Sequence, residues 1–551
     1  MNRYLISISV GPVQEFIAAA RRTADLKQGS QLLQDLAGHI ATELEQRGGT
    51  LIFPATSSMP GPNKVVAEVP TDDPSTLVED LRSSAVEWLW QKWISTCEQL
   101  HVPLDADLAE EQVRQFLEFY AAWVPYSGSD YPDRRQRVEL LLAGRKALRN
   151  FQQIPPRPGR WKSPLDPSRD TVLELQGSRL PPGAEDAPLS LKPREYLDAI
   201  SLLKRVLGSS ARGAPSTSEM AAQSALCVAR RKNAEAVDTL EQIAQNAPGM
   251  VDIGDLMFPT RVQEEIDSGG ERLNRYLKQR QQEIDRLRKE ILRSVQPPLS
   301  ECPPYYALLA ADGDRMGALI AQQNTPNDHR QLSQRLADCA RQARNTVQQH
   351  HGYTIYAGGD DLLAMLPINT AIACAVQLAD AFRNQVGGAT LSIGIAIVHH
   401  LENLHQALEW ARQAEREAKV SRNALAVALH TRGGVPISAV TVFASDPYQE
   451  AWMRSVQAFR EGLSHGFPYE LVHLAREAES TSLSVHALRA EAMRIYRRKE
   501  GSEARGIRPE VARWIEQELQ QVNSPADLRR FAERLIIARF LATVPDAEVT
   551  P

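Results

Sequence analysis

Three carboxylates carry the chemistry open to this sequence. Asp312 closes a continuous apolar run, Tyr305-Tyr-Ala-Leu-Leu-Ala-Ala311, and is followed by Gly313. Asp360 lies forty-eight positions beyond Asp312, in Gly358-Gly359-Asp360-Asp361 between Tyr353-Thr-Ile-Tyr-Ala357 and Leu362-Leu-Ala-Met-Leu366. Two apolar β-type runs flanking Gly-Gly-Asp predict a hairpin, because glycine supplies the positive φ of a primed turn. The turn explains the glycines but not two consecutive carboxylates, which repel each other unless a cation neutralises them. Oxygen ligands on two separated strand ends suit a pair of magnesium ions about 3.5–4 Å apart. Such a pair binds nucleotide phosphates and assists attack of a hydroxyl on the α-phosphorus with loss of pyrophosphate. The expected ligands are Asp312, Asp360 and Asp361 with Gly313, and bare backbone at Gly313, Gly358 and Gly359 lets phosphates approach. Asp312 and Asp360 rank ahead of Asp361, because successive strand residues point to opposite faces. The blander alternatives are that Asp312 caps the next helix and that the tetrapeptide is a polar hairpin tip.

The elements that position these residues read as an α+β fold. Strands are expected at 305–311, 353–357, 362–367 and 390–398, with helices between them and another from Leu404 to Lys419. At the start of the chain, Arg3 to Val10 is a strand feeding a helix from about Val13. A second helix runs from about Ser30 to Gln46, followed by strands at Thr50 to Phe53 and Lys64 to Val69. That β-α-α-β-β order suggests half of a ferredoxin-like unit. Residues 74–150 read as helices, 154–187 as an irregular Pro- and Gly-rich connection, and 259–296 as a charge-rich helical stretch, a solvated helix or short coiled-coil arm in preference to an RNA-binding helix. From about Pro447 onward the pattern is helical. The expected boundaries are 1–105, 106–300, 301–436 and 437–551.

With 551 residues, the chain is long enough for three or four domains, and 63 basic against 68 acidic residues exclude a uniformly cationic nucleic-acid binder. The five cysteines stand singly, without a CxxC pair, which argues against a disulfide framework and against structural zinc. The scattered cysteines point to a reducing cytoplasm, and no apolar run approaches the roughly 20 residues that span a bilayer, so no membrane contact is expected.

The strand-end aspartate, the Gly-Gly-Asp-Asp hairpin, the Ser392-x-Gly-Ile-Ala strand and a helix ending Ala-Glu-x-x-Ala-Lys419 resemble the GGDEF and class III cyclase palm. That resemblance implies that Lys419 contacts nucleotide phosphate, with complementation of the helix dipole as the alternative. Outside this region, Gly11-Pro-Val-Gln-Glu-Phe-Ile17, Ala20-Arg-Arg-Thr23, Asp25-Leu26, Gly29-Ser30, Lys162-Ser-Pro-Leu-Asp166, Tyr196-Leu-Asp-Ala-Ile200 and Leu203-Lys-Arg205 resemble the large subunit of type III-B CRISPR effectors, the Cmr complex. The resemblance implies two ferredoxin-like palms, the first degenerate and the second active, with helical middle and C-terminal domains. It implies conversion of ATP to cyclic oligoadenylates with Mg2+ or Mn2+, in company with other Cmr subunits, guide crRNA and target RNA. Val10-Gly-Pro12 stands where an active palm has Asp-Gly-Asp, so the first palm is expected to shape a nucleotide pocket without holding metal. Ser30 is expected to contact a nucleotide or to cap its helix. With no His-Asp dipeptide, an HD-type DNase is not expected. The alternatives are a silent ATP-binding scaffold of the same complex and a diguanylate-cyclase-like enzyme using GTP, the latter disfavoured by Leu362 in place of the GGDEF phenylalanine.

Overall fold

The β-branched run at the start of the chain forms β1 (Arg3–Gly11), whose alternating residues serve two cores. Ile6, Ile8 and Val10 face helices Thr23–Gln46 and Pro74–Cys97, while Leu5 faces helix Tyr131–Ala147. β2 (Thr50–Phe53), β3 (Lys64–Pro70) and β4 (Glu118–Pro125) complete an antiparallel sheet in the order β2-β3-β1-β4. The fourth strand lies beside the first and the third on its other side, which is the ferredoxin-like arrangement. These positions come from a computed structural model that describes residues 2–59, 63–97, 100–148, 155, 157–186, 188–210, 213–249, 251–268, 270–443, 448–481, 483–503 and 507–546. The tip of the expected β2–β3 connection, residues 60–62, lies outside the described residues.

Two expectations are corrected here. β4 falls in the stretch read as helical, because Glu118-Phe-Tyr-Ala-Ala-Trp-Val124 buries residues on both faces and so shows no clean alternation. A boundary at 105 therefore cuts through the first sheet. Helix Thr23–Gln46 starts a full two turns before Ser30, which is buried mid-helix and accepts a hydrogen bond from Gln34 Nε2 (3.2 Å), so it is not a cap. Gly29 is tolerated inside this helix because a Cβ there would lie 3.1 Å from the Lys204 side chain.

Among the described residues, six helices between Ala199 and Ser294 build the middle of the molecule, and the described part of 154–187 holds only isolated bridges, as expected. Arg205 fastens this region to the first sheet. It is 1% exposed and reaches Asp25 on helix Thr23–Gln46 and Glu195 at 3.0 and 2.7 Å.

The second sheet consists of β5 (Tyr305–Gly313), β6 (Tyr353–Gly358), β7 (Asp361–Pro367), β8 (Leu391–His399), β9 (Ala424–His430) and β10 (Ile437–Val442), in the order β10-β9-β8-β5-β7-β6. Four consecutive strands of it, β8-β5-β7-β6, repeat the arrangement of the first sheet. Helices Pro326–Gln349 and Ala371–Gln385 cover one face and Leu404–Ser421 packs on the other. β9 joins β8 in parallel after that last helix, and β10 pairs antiparallel with β9. Neither strand is among those expected: Ala424-Leu-Ala-Val-Ala-Leu429 is as compatible with helix as with strand, whereas Ile437-Ser-Ala-Val-Thr-Val442 is a β-branched run that does signal one. The boundary expected at 436 thus removes β10 from its sheet. Five helices follow between Tyr448 and Leu541, and the last shares one core with this sheet. The two palms meet where Arg330 Nε donates to Leu51 O (2.9 Å) and where Tyr131 Oη lies 2.7 Å from His329 Nδ1.

Candidate active site

Strand register brings the carboxylates together. Ala311 of β5 stands opposite Leu362 of β7, and continuing that register places Asp312 opposite Asp361 and Gly313 opposite Asp360. β6 and β7 close on the pair Gly358 and Asp361, leaving Gly359 and Asp360 as the two turn residues. Gly359 has φ +66°, and Asp360 does not enter the positive region, the pattern of a type II′ hairpin. A Cβ on Gly313 would lie 2.8 Å from Asp360 Cβ and 2.6 Å from Met316 Cγ, so the close approach of strand end and hairpin tip requires glycine there.

Alternation along the strands then separates the three acids. Ala310 and Leu363 pack with Ala407, Leu408 and Ala411 of helix Leu404–Ser421, whereas Ala311 and Leu362 pack with Cys339, Ala340 and Leu378. Asp312 and Asp361 fall on the first of these faces, and Asp360 lies on the turn towards the second. On the Asp360 side, a cleft of about 370 Å3 including its open mouth is lined by Ala343, Ala357, Leu378, Phe382 and Leu391.

Helix Leu404–Ser421 approaches the sheet closely because Gly394 of β8 has no side chain: a Cβ there would lie 2.0 Å from Glu415 N. That approach delivers Lys419, whose ammonium forms an ion pair with the Asp312 carboxylate, and Glu415, 3.8 Å from the same ammonium. The chemistry of Lys419 in this structure is therefore with a carboxylate on the strand end rather than with its own helix terminus alone. Among the described residues, no three His, Cys, Asp or Glu side chains are grouped to close on a metal ion as they stand. The donor set nevertheless fits a hard divalent cation, since it is oxygen-only and its negative charge is in excess. Asp361 reaches solvent, yet desolvation by the surrounding protein, then the like charges of Asp360 and Glu415, push its carboxyl up to about 7. Burial raises Asp360 and Glu415 as well.

A carboxyl raised in the folded state binds its proton more tightly than in the unfolded chain, so its ionisation costs stability as pH rises from the unfolded value towards about 7. A bound cation removes that cost. The increase in melting temperature on adding Mg2+ or Mn2+ is therefore expected to be larger at pH 8 than at pH 6, and to lose most of that pH dependence in Asp361→Asn. Thermal melts at the two pH values check this.

The second acid of Asp312-Gly-Asp314 went unassigned in the sequence. Asp314 is 7% exposed, and its carboxylate accepts from Thr390 Oγ1 (2.7 Å), Ser392 Oγ (2.7 Å) and the Asn423 N–H (2.8 Å). It ties the end of β5 to the start of β8 and to Arg422-Asn423, whose φ values of +57° and +45° turn the chain out of the helix that carries Lys419. Ser392 next to the strand start was the available signal, but nothing local links it to Asp314. Asp314→Ala strands three donors and is expected to cost about 3 kcal/mol in urea denaturation.

Taken together, two ferredoxin-like palms, one with a strand-end aspartate against a Gly-Gly-Asp-Asp hairpin, define the palm class of nucleotidyltransferase folds. Residues 305–426 match the family described as Cas10/Cmr2, second palm domain, and residues 5–86 match CRISPR-associated protein Cmr2, N-terminal. Two separate segments of the chain thus match models of the Cas10/Cmr2 family. It is 27% identical over 304 residues to the CRISPR system Cmr subunit Cmr2 of Pyrococcus furiosus, a stretch covering 48% of this chain and 34% of that protein. The match thus spans about a third of the relative's length. Among solved structures, its fold is similar to a chain of the type III-B Cmr-beta complex in the apo state (TM-score 0.68, 13% identity, 97% of this chain and 82% of that one). It is also similar to one of Cmr-beta bound to cognate target RNA (0.65, 13%, 90% and 78%) and to one of a Csm1–Csm4 cassette in complex with cA4 (0.52, 14%, 98% and 70%).

Proposed function

We propose that this chain is the cyclase subunit of an RNA-guided type III-B effector, converting ATP to cyclic oligoadenylates when target RNA is captured. It would assemble with other Cmr subunits, guide crRNA and target RNA. The observation that carries the reading is the register that sets Asp312 across from Asp361, with Asp360 on the adjoining turn. The Csm1–Csm4 cassettes of similar fold, solved with cA4 and with cA3, support it.

Asp312, Asp360 and Asp361, with the Gly313 backbone, would hold Mg2+ or Mn2+, which when bound lowers the pKa of an attacking 3′-hydroxyl and neutralises the departing pyrophosphate. Gly358 and Gly359 present bare backbone to the phosphates. Lys419 exchanges its carboxylate partner for a phosphate oxygen, keeping the ammonium paired while Asp312 becomes available. The first palm has Gly11 opposite Glu118 and Pro12 beyond it, so its strand end bears no acid in the place of Asp312, and it serves to complete the nucleotide pocket.

The Lys419–Asp312 ion pair favours one other reading, a palm that binds ATP without turnover. Labelled ATP with magnesium, presented to the complex assembled on guide and matched target RNA, separates the two. Cyclic adenylates from ATP and none from GTP are expected; no product from a complex with confirmed target capture leaves the scaffold reading, and preferential use of GTP overturns the substrate.

A further inference from the structure

Helix Glu271–Ser294 carries eight basic residues against four acidic ones, in a chain whose formal charge is −5. Its Leu273, Leu277, Ile284, Leu287 and Ile291 are buried in the core of the middle region. At 3.6 residues per turn, Arg272, Arg275, Arg286, Lys289 and Arg293 share the opposite stripe, with Gln279 and Gln282 between them. All seven are exposed. Arg286 pairs with Glu290 at 3.4 Å, whereas Arg272, Arg275, Lys289 and Arg293 have no ion-pair partner among the described residues.

The stripe, which Glu271 and Glu290 share with the five cations, is net cationic and amide-bearing, and no large apolar side chain of this helix is exposed. Protein partners are met through an apolar core inside a polar rim. A phosphodiester backbone is met by Arg and Lys together with amide and hydroxyl donors, which is the composition found here. The two cationic groups, 272–275 and 286–293, lie about 24 Å apart along the helix axis, so a strand lying along the helix touches both.

We propose that this stripe binds the phosphate backbone of RNA. The choice of RNA among polyanions rests on the function proposed above; the anion-binding face itself does not. Each phosphate neutralised releases counterions, so the contact is read in the salt dependence of binding.

The test is fluorescence anisotropy of a labelled single-stranded RNA with the full chain across a salt series, comparing the native protein with R272Q/R275Q/K289Q/R293Q. The slope of log affinity against log salt is expected to become shallower by about 3, with affinity at low salt falling by about 100-fold or more. Circular dichroism and melting temperature should not change, because the four positions are exposed. An unchanged slope overturns the proposal. So does equal affinity of the native protein for poly-glutamate and RNA with both lost together, which would make the stripe a site for acidic protein. Conversion of ATP by the same variant is recorded separately: a shallower slope without any cyclase activity in the native complex would sink the enzyme reading and leave the RNA contact standing.

Discussion

Alanine at both Asp360 and Asp361 abolishes conversion of labelled ATP, with an expected loss of at least about 1,000-fold, while the protein still folds and assembles. Metal-assisted stabilisation of the transition state is worth several kcal/mol, and each 1.36 kcal/mol is tenfold in rate. The fold survives because the hairpin depends on Gly359 at φ +66° and on the β6–β7 and β5–β7 ladders, none of which uses the two carboxylates. The raised pKa values make a sharper statement. Burial and mutual repulsion mean that the ionised carboxylates work against the folded state, so without divalent cation the double variant should melt at or above the temperature of the native protein near pH 8. Loss of activity together with a lower melting temperature or failed assembly would identify the pair as structural. Retained activity would remove the two residues from the chemistry.

Arg205→Ala should have the largest effect on stability, about 3–5 kcal/mol, read as a fall in the midpoint of urea denaturation. The guanidinium donates to Asp25 (3.0 and 3.2 Å) and to Glu195 (2.7 and 3.3 Å), and all three side chains are at most 4% exposed. Truncation leaves two carboxylates buried without that partner, and lysine restores the charge but not the fork that reaches both. The pH dependence carries the signature. Burial alone would raise the Glu195 carboxyl, but hydrogen bonds and charge from Arg205 outweigh it and hold the carboxyl below its usual value. The stability this contributes is present above the unfolded pKa near 4.5 and is lost as pH falls through the folded value. The native protein should therefore lose part of its advantage over Arg205→Ala in mild acid. A constant difference across that range would show that Arg205 acts through packing alone.

The same three residues show how far local sequence reaches. Leu203-Lys-Arg205 is recognisable as a motif, yet its partners Asp25 and Glu195 lie 180 and 10 positions away, and only the packing of helix Thr23–Gln46 against the middle helices brings both acids to one guanidinium. β4 and β9 were hidden for a related reason. A strand is stabilised by a neighbour distant in sequence, and β9 finds β8 only after helix Leu404–Ser421 has crossed over. Composition suggested a solvated helix over 259–296, but Leu273, Leu277, Ile284, Leu287 and Ile291 of helix Glu271–Ser294 are buried, and only the packing of the middle helices decides which face presents Arg272, Arg275, Lys289 and Arg293.

By itself, the sequence determined that an acid ends a buried strand, that a glycine-bearing hairpin carries two more acids at or beside its turn, and that the turn itself needs glycine. These are consequences of apolar runs, φ preferences and like-charge repulsion, all local to a few residues. Tertiary structure decided the partnership among the acids. The β5–β7 register sets Asp312 against Asp361 and leaves Asp360 on the turn, Gly394 lets a helix close in until Lys419 meets Asp312, and Asp314 is taken up holding β5 to β8. Each of those depends on a distance between elements far apart in the chain, which side-chain types and their spacing do not encode locally.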